Sequence, residues 1–105
     1  MPLRKIHLIC PGGRDVIENG QTFSTGIWVI SEIIAREAVS NMAIVALYEN
    51  HNTKSYLQGI VVGYERAQRY GNVRINIGTI LKAKKIDEKQ IWNGNMYAEK
   101  AYERY

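Results

Sequence analysis

Ala43-Ile44-Val45-Ala46-Leu47-Tyr48 is followed, after the polar stretch Asn50-His51-Asn52-Thr53-Lys54, by Ser55-Tyr56-Leu57-Gln58-Gly59-Ile60-Val61-Val62-Gly63-Tyr64. The first run is apolar almost throughout, as a central strand covered on both faces requires. The return run is rich in β-branched and aromatic residues, so the pair predicts a β-hairpin closed by a loop of roughly five residues. Strict alternation places Tyr56, Gln58, Ile60, Val62 and Tyr64 on one face of the return strand. Leu57, Gly59, Val61 and Gly63 then share the other face, where the two glycines mark a close approach to the backbone.

Working toward the N-terminus, Lys5-Ile6-His7-Leu8-Ile9-Cys10 reads as a strand that Pro11-Gly12-Gly13 ends. Residues 11–26 read as a long loop with a weak strand near Thr22 to Ser24, and a loop of that length in a small domain is a functional one. Ile27-Trp28-Val29-Ile30 is the next expected strand. Ser31 can cap a helix from Glu32 to about Ser40, with Ile34 and Ala38 inward, Arg36 and Glu37 toward water, and Asn41 as its stop. Toward the C-terminus, residues 65–72 read as a turn region. From Val73 the alternation sets Val73, Ile75 and Ile77 against Arg74, Asn76 and Gly78, and an unbroken pleat adds Lys82 and Lys84 to the side of Arg74. Residues 87–105 admit a helical turn at Asp87 to Ile91, a turn at Asn93-Gly94-Asn95, and a closing strand or short helix. The layout predicts an α+β fold: a small, mostly antiparallel, barrel-like sheet with one short helix after the second strand. Closure would remove the exposed edges of its Ile- and Val-rich strands.

The 105 residues, with 46% hydrophobic and 23% charged side chains, are expected to form a single domain spanning residues 1–105. That size excludes a two-domain enzyme with a cleft between halves. No apolar run approaches the ~20 residues that span a bilayer, the first residues lack a signal-peptide core, and Cys10 has no second cysteine to pair with. A cytoplasmic protein without a membrane partner is therefore expected. Residues 1–60 carry as many acids as bases, so the whole net charge of +4 lies in residues 61–105. Arg66, Arg69, Arg74, Lys82, Lys84 and Lys85 follow one another with no acid between them. Such a run is an electrostatic footprint for phosphate or another polyanion; it also suits a lysine-studded strand edge that resists aggregation.

Catalytic chemistry finds no support. A single cysteine and two distant histidines, His7 and His51, supply no metal-ligand spacing. Cys10 and Arg14 stand too close together for the amides between them to wrap a phosphate, and no Gly-Lys-Ser/Thr follows Gly12-Gly13. No Ser-His-Asp set or carboxylate pair stands out, so neither a catalytic residue nor a cofactor is expected. What remains is two tryptophans, seven tyrosines and the basic run. Aromatic faces stack on bases while cations neutralise phosphates, a mixture suited to nucleic acid. The same aromatics also suit a core, or a surface that docks a partner protein or a second copy.

Gly26-Ile27-Trp28-Val29-Ile30-Ser31 entering a short helix, Leu47-Tyr48-Glu49 ending an apolar strand, and Ser55-Tyr56-Leu57-Gln58-Gly59-Ile60 returning across the sheet carry a resemblance. With the late Trp92 followed by Glu99-Lys100, the chain resembles the PUA-like superfamily, including EVE, ASCH and YTH domains, over residues 26–100. The resemblance implies a non-enzymatic module that binds RNA or DNA and reads a modified or flipped base. It maps Trp28, Tyr56 and Trp92 onto an aromatic pocket and Arg66, Arg74 and Lys82 onto phosphate, with Arg69 and Lys84 in the same basic rim. A partner protein would then supply any effector activity. The alternative is an accessory subunit whose exposed aromatics form the partner surface.

Overall fold

Apolar runs and turn residues divide the described residues into seven strands and one α-helix. The computed structural model describes residues 1–70 and 75–105. β1 (Leu3–Ile9) leads through a 3-10 turn (Pro11–Gly13) to the short hairpin of β2 (Ile17–Asn19) and β3 (Thr22–Ser24). Helix α1 (Glu32–Ser40) precedes β4 (Ile44–Tyr48), β5 (Leu57–Tyr70), β6 (Ile75–Lys85) and β7 (Lys100–Arg104). The strands form one sheet in the order β2-β3-β6-β5-β4-β1-β7. Only β1 and β4 run parallel, because β2, β3 and α1 intervene and carry the chain back to its starting side. The sheet is open, with β2 and β7 as its edges; among the described residues no pairing closes it into a barrel.

The helix matches its sequence signals. Ser31 Oγ accepts from the Ile34 amide at 3.3 Å, and the Asn41 amide returns to Glu37 and Val39. Ala35 and Ala38 face inward, and their small side chains let α1 lie close on β5, β1 and β6. Glu37 is drawn back to the sheet edge, where Arg104 donates two hydrogen bonds to it at 2.7 and 2.9 Å. Around the helix, Leu3, Ile6, Leu8, Phe23, Val45, Leu47, Val61, Leu81 and Ala83 form the core.

Several expectations need correction. The β4–β5 connection spans residues 49–56, longer than the alternation implied, because Ser55 is committed elsewhere. Its amide donates to Gln90 O, and its hydroxyl accepts from the Gln90 amide while donating to Gln58 Oε1. A bulge then breaks the pleat: Val61 pairs with Ala83 and Gly63 with Lys82, leaving Val62 unpaired and 56% exposed. Tyr64 consequently lies opposite Leu81, on the face of Val61 rather than that of Ile60. Residues 65–70 continue β5 instead of turning. The expected turn at Gly71-Asn72, with Val73 and Arg74, lies outside the described residues.

Ile27-Trp28-Val29-Ile30 is not a strand; it makes one isolated bridge, Trp28 to Thr79, before turning into the Ser31 cap. No helical turn forms at residues 87–91, and the chain instead closes as β7 beside β1. The weak strand near Thr22 is β3, and its partner β2 was not anticipated. Among the described residues no helix is long and apolar enough to cross a membrane.

Gly59 marks the closest backbone approach in the hairpin, since a Cβ there would meet Lys84 O at 2.5 Å, Phe23 at 2.9 Å and Ala83 at 3.0 Å. Gly59→Ala is expected to destabilise the protein by about 1–3 kcal/mol in urea unfolding, as overpacking does. Gly63→Ala, whose Cβ would meet nothing nearer than Lys82 at 4.0 Å, should change stability much less.

Candidate functional site

The segment that failed to become a strand forms one wall of a cavity that contains Trp28. Residues 25–28 run beside β6, bonded to it at Leu81 and Thr79, and approach it most closely at Gly78, where a Cβ would lie 2.5 Å from Ile27 and 2.8 Å from Trp28 O. Glycine at position 78 is therefore what lets the segment lie so close to β6. Side-chain hydroxyls serve its backbone. Thr25 Oγ1 accepts from the Leu81 amide and donates to Gly26 O, while Thr79 Oγ1 donates to Ile30 O at 2.6 Å. Arg66 Nη1 donates to the same Ile30 O at 2.7 Å and to Thr79 Oγ1 at 2.5 Å.

On the far side of this segment, Arg14, Asp15, Gly26, Ile27, Trp28, Val29, Ala98, Glu99 and Lys100 enclose a cavity of about 460 Å³. That volume suits a small aromatic ligand, and a tryptophan wall with a few polar groups is the usual lining of such sites. Lys100 Nζ donates to Val29 O and so ties the 98–100 wall to the Trp28 wall. The opposite wall comes from the loop after β1. There the Glu49 carboxylate accepts from the Gly12 amide at 3.0 and 3.1 Å, and Tyr56 Oη donates to Cys10 O at 2.6 Å. Gly12, Gly13 and Asp15 all have left-handed backbone, with φ of 69°, 65° and 61°. A second concavity of about 560 Å³ shares Asp15, Gly26 and Ile27 and extends to Glu65, Ile80 and Lys82.

The structure distributes the sequence-derived residues unevenly. Trp28 lines the first of these cavities, and Lys82 lines the adjoining concavity, exposed like Lys84 two residues on. Lys82 also pairs with Glu65 at 3.3 Å. Arg66 is opposite Thr79 on the helix-facing side, so the basic run does not form a single stripe. Arg69 belongs to β5, opposite Asn76, and Arg74 lies outside the described residues. Tyr56 pins the loop rather than lining the cavity. Trp92 lies elsewhere, edge-on to His7, Tyr48 and His51 with ring centroids 6.0, 5.6 and 5.0 Å away. Asp15 is a cavity residue that sequence reasoning did not single out, its one signal being the length of the 11–26 loop; Arg14 was weighed only beside Cys10, and Gly26 only as the start of the stretch leading into the helix.

Below Trp92, His7 is wholly buried between Tyr48 and Glu103. Tyr48 Oη donates to Nδ1 at 2.6 Å, and Nε2–H donates to the Glu103 carboxylate, whose other oxygen accepts from Asn93 at 3.0 Å. Burial pushes the His7 pKa below its usual 6.5, outweighing the Glu103 contacts that favour the charged form. Burial alone would raise Glu103, but hydrogen bonds from His7 and Asn93 bring it below the usual carboxylate range. Burial also raises Tyr48, so neutral Tyr48, neutral His7 and ionised Glu103 are one self-consistent chain. Among the described residues no cluster of three metal-ligating side chains forms.

Both shifts make the unfolded chain the better proton binder as pH falls through 6.5 and then 4.5. The urea midpoint should hence be highest above pH ~7 and decline on acidification toward pH ~5, with His7→Gln flattening the upper part of that decline. Comparisons with protein-family profiles, with characterised proteins and with solved structures find no match for this chain.

Proposed function

We propose that this domain is a non-enzymatic nucleic-acid-binding module of PUA-like architecture, which seats an unstacked base against Trp28. The observation that carries this reading is the cavity walled by Trp28 and bordered by Arg14 and Lys100, which shares Asp15, Gly26 and Ile27 with an adjoining concavity lined by Lys82. An extruded base loses its stacking neighbours at a cost of a few kcal/mol, and an indole face returns about 1–3 kcal/mol per base. Cations around the opening favour the flanking phosphates without reading sequence. A modified base fits the same logic, with any consequent reaction left to a partner protein.

A second reading is favoured by the exposure of Val29, Ile33, Met96 and Tyr97, the last at 89%. Apolar groups left in water in that number suit an accessory subunit docking a partner or a second copy. Sedimentation as a monomer at high concentration would count against self-association.

Fluorescence anisotropy with short single-stranded RNA and DNA tests the first reading. Binding should weaken roughly five- to 100-fold in Trp28→Ala, and Lys82→Ala should lessen its salt dependence. Trp92→Phe, outside the cavity, should leave affinity unchanged. Absence of binding to any strand at low salt would overturn the reading.

A further inference from the structure

We propose that the Trp28 cavity selects guanine, with the Asp15 carboxylate as the specificity-determining group; the inference rests on the reading of that cavity as a base site. Its walls carry both signs of charge: Arg14 and Lys100 as donors, Asp15 and Glu99 as acceptors. Most acidic side chains elsewhere are already engaged. Glu18 pairs with Lys85, Glu32 and Glu37 with arginines, and Glu65 with Lys82. Glu49 accepts from Gly12 and Glu103 from His7. Four exposed acids, Asp15, Asp87, Glu88 and Glu99, have side chains without a hydrogen bond or ion pair among the described residues, and two of them, Asp15 and Glu99, line this one cavity.

Asp15 is also held deliberately. Its φ of 61° is unusual for a residue with a side chain and costs about 1–3 kcal/mol, a strain found where a ligand-facing group must be aimed. A Cβ on Gly26 would lie 2.8 Å from Asp15 Cβ, so only glycine at position 26 leaves room for this placement. The carboxylate borders both the Trp28 cavity and the adjoining concavity.

Two carboxylate oxygens accept side by side from two neighbouring N–H donors. Guanine alone among the common bases offers such a pair, N1–H and the N2 amino group, on one edge. Its opposite edge offers O6 and N7, the acceptors that Arg and Lys most often contact. Uracil and thymine flank a single N–H with carbonyl oxygens that a carboxylate repels. Adenine and cytosine set one amino group beside an acceptor nitrogen. Each of the two walls beside Trp28 carries a carboxylate next to a cation, Asp15 with Arg14 and Glu99 with Lys100. An acceptor from one wall and a donor from the other can thus meet the two edges of guanine and are mismatched to the rest. The same chemistry serves a guanine within a strand or in a free nucleotide.

Single-stranded oligonucleotides differing only at a central guanine, inosine, adenine, cytosine or uracil distinguish these cases, with GMP as competitor. The guanine strand should bind about tenfold or more tighter than the others, including inosine, which lacks only the N2 amino group. Asp15→Asn, whose asparagine tolerates left-handed backbone, should bring those affinities together while retaining strand binding. Equal affinities in the wild-type protein, or a guanine preference intact in Asp15→Asn, would overturn the inference and leave strand binding standing. Binding of GMP without any strand would uphold guanine selection and overturn the nucleic-acid reading. Binding of neither would overturn both. The inosine comparison needs no variant, so a misfolded Asp15→Asn would not shelter the idea.

Discussion

The structure depends on how residues 25–30 satisfy their backbone where the regular pairing of β3 with β6 gives out and a single bridge, Trp28 to Thr79, remains. A segment that leaves the strand ladder forfeits its regular partners, and a buried amide or carbonyl left unpaired costs about 1–3 kcal/mol. Here the Thr25 amide still donates to Leu81 O and Trp28 exchanges both backbone hydrogen bonds with Thr79, and two threonines and an arginine add side-chain partners. Thr25 serves Leu81 N and Gly26 O, and Thr79 with Arg66 converges on Ile30 O. Because these groups come from three different elements, this segment, β5 and β6 are fixed to one another. The Trp28 wall is rigid for the same reason that its backbone is not a strand.

How much of this was legible in the sequence follows from the range of each signal. Helix α1 was readable to the residue, because Ser31, Glu32 and Asn41 act on neighbours within one turn. The β4–β5 pair was equally plain, since nothing else satisfies so apolar a run. The bulge at Val62 was not, because a one-residue slip is decided by what packs on the opposite face, here Ala83 and Leu81. Trp28 read as a strand residue because β-branched and aromatic side chains also suit a segment laid beside a strand. The glycine that permits this, Gly78, lies fifty residues away. Of the aromatics grouped by composition, Trp28 alone among those with described side chains lines the cavity. Tyr56 and Trp92 were drawn into anchoring roles that single-residue reasoning has no means to separate from binding ones.

The fate of the basic run is decided by pleat geometry. Arg66 lies on β5 beyond the Val62 bulge, opposite Thr79, and serves the interior hydrogen-bond knot, while Lys82 and Lys84 alternate with buried Leu81 and Ala83 on β6 and look outward. Lys85 closes on Glu18 at 2.6 Å and secures the β2 edge. A stretch that looks like one electrostatic feature in sequence therefore performs three tasks, and only part of it adjoins the cavity.

The position of β7 has a consequence for how the chain reaches its final form. β1 is hemmed by β4 on one side and by β7 on the other, and the β7 contact joins Leu3 to Arg104 and Ile6 to Tyr102. Closing so long a loop is entropically slow, and during synthesis the first strand leaves the ribosome long before its last neighbour exists. Until then His7 lacks Glu103 and the outer edge of β1 is an unpaired template. The charged flanks Arg4 and Lys5 are well placed to keep a nascent chain from pairing that edge with another.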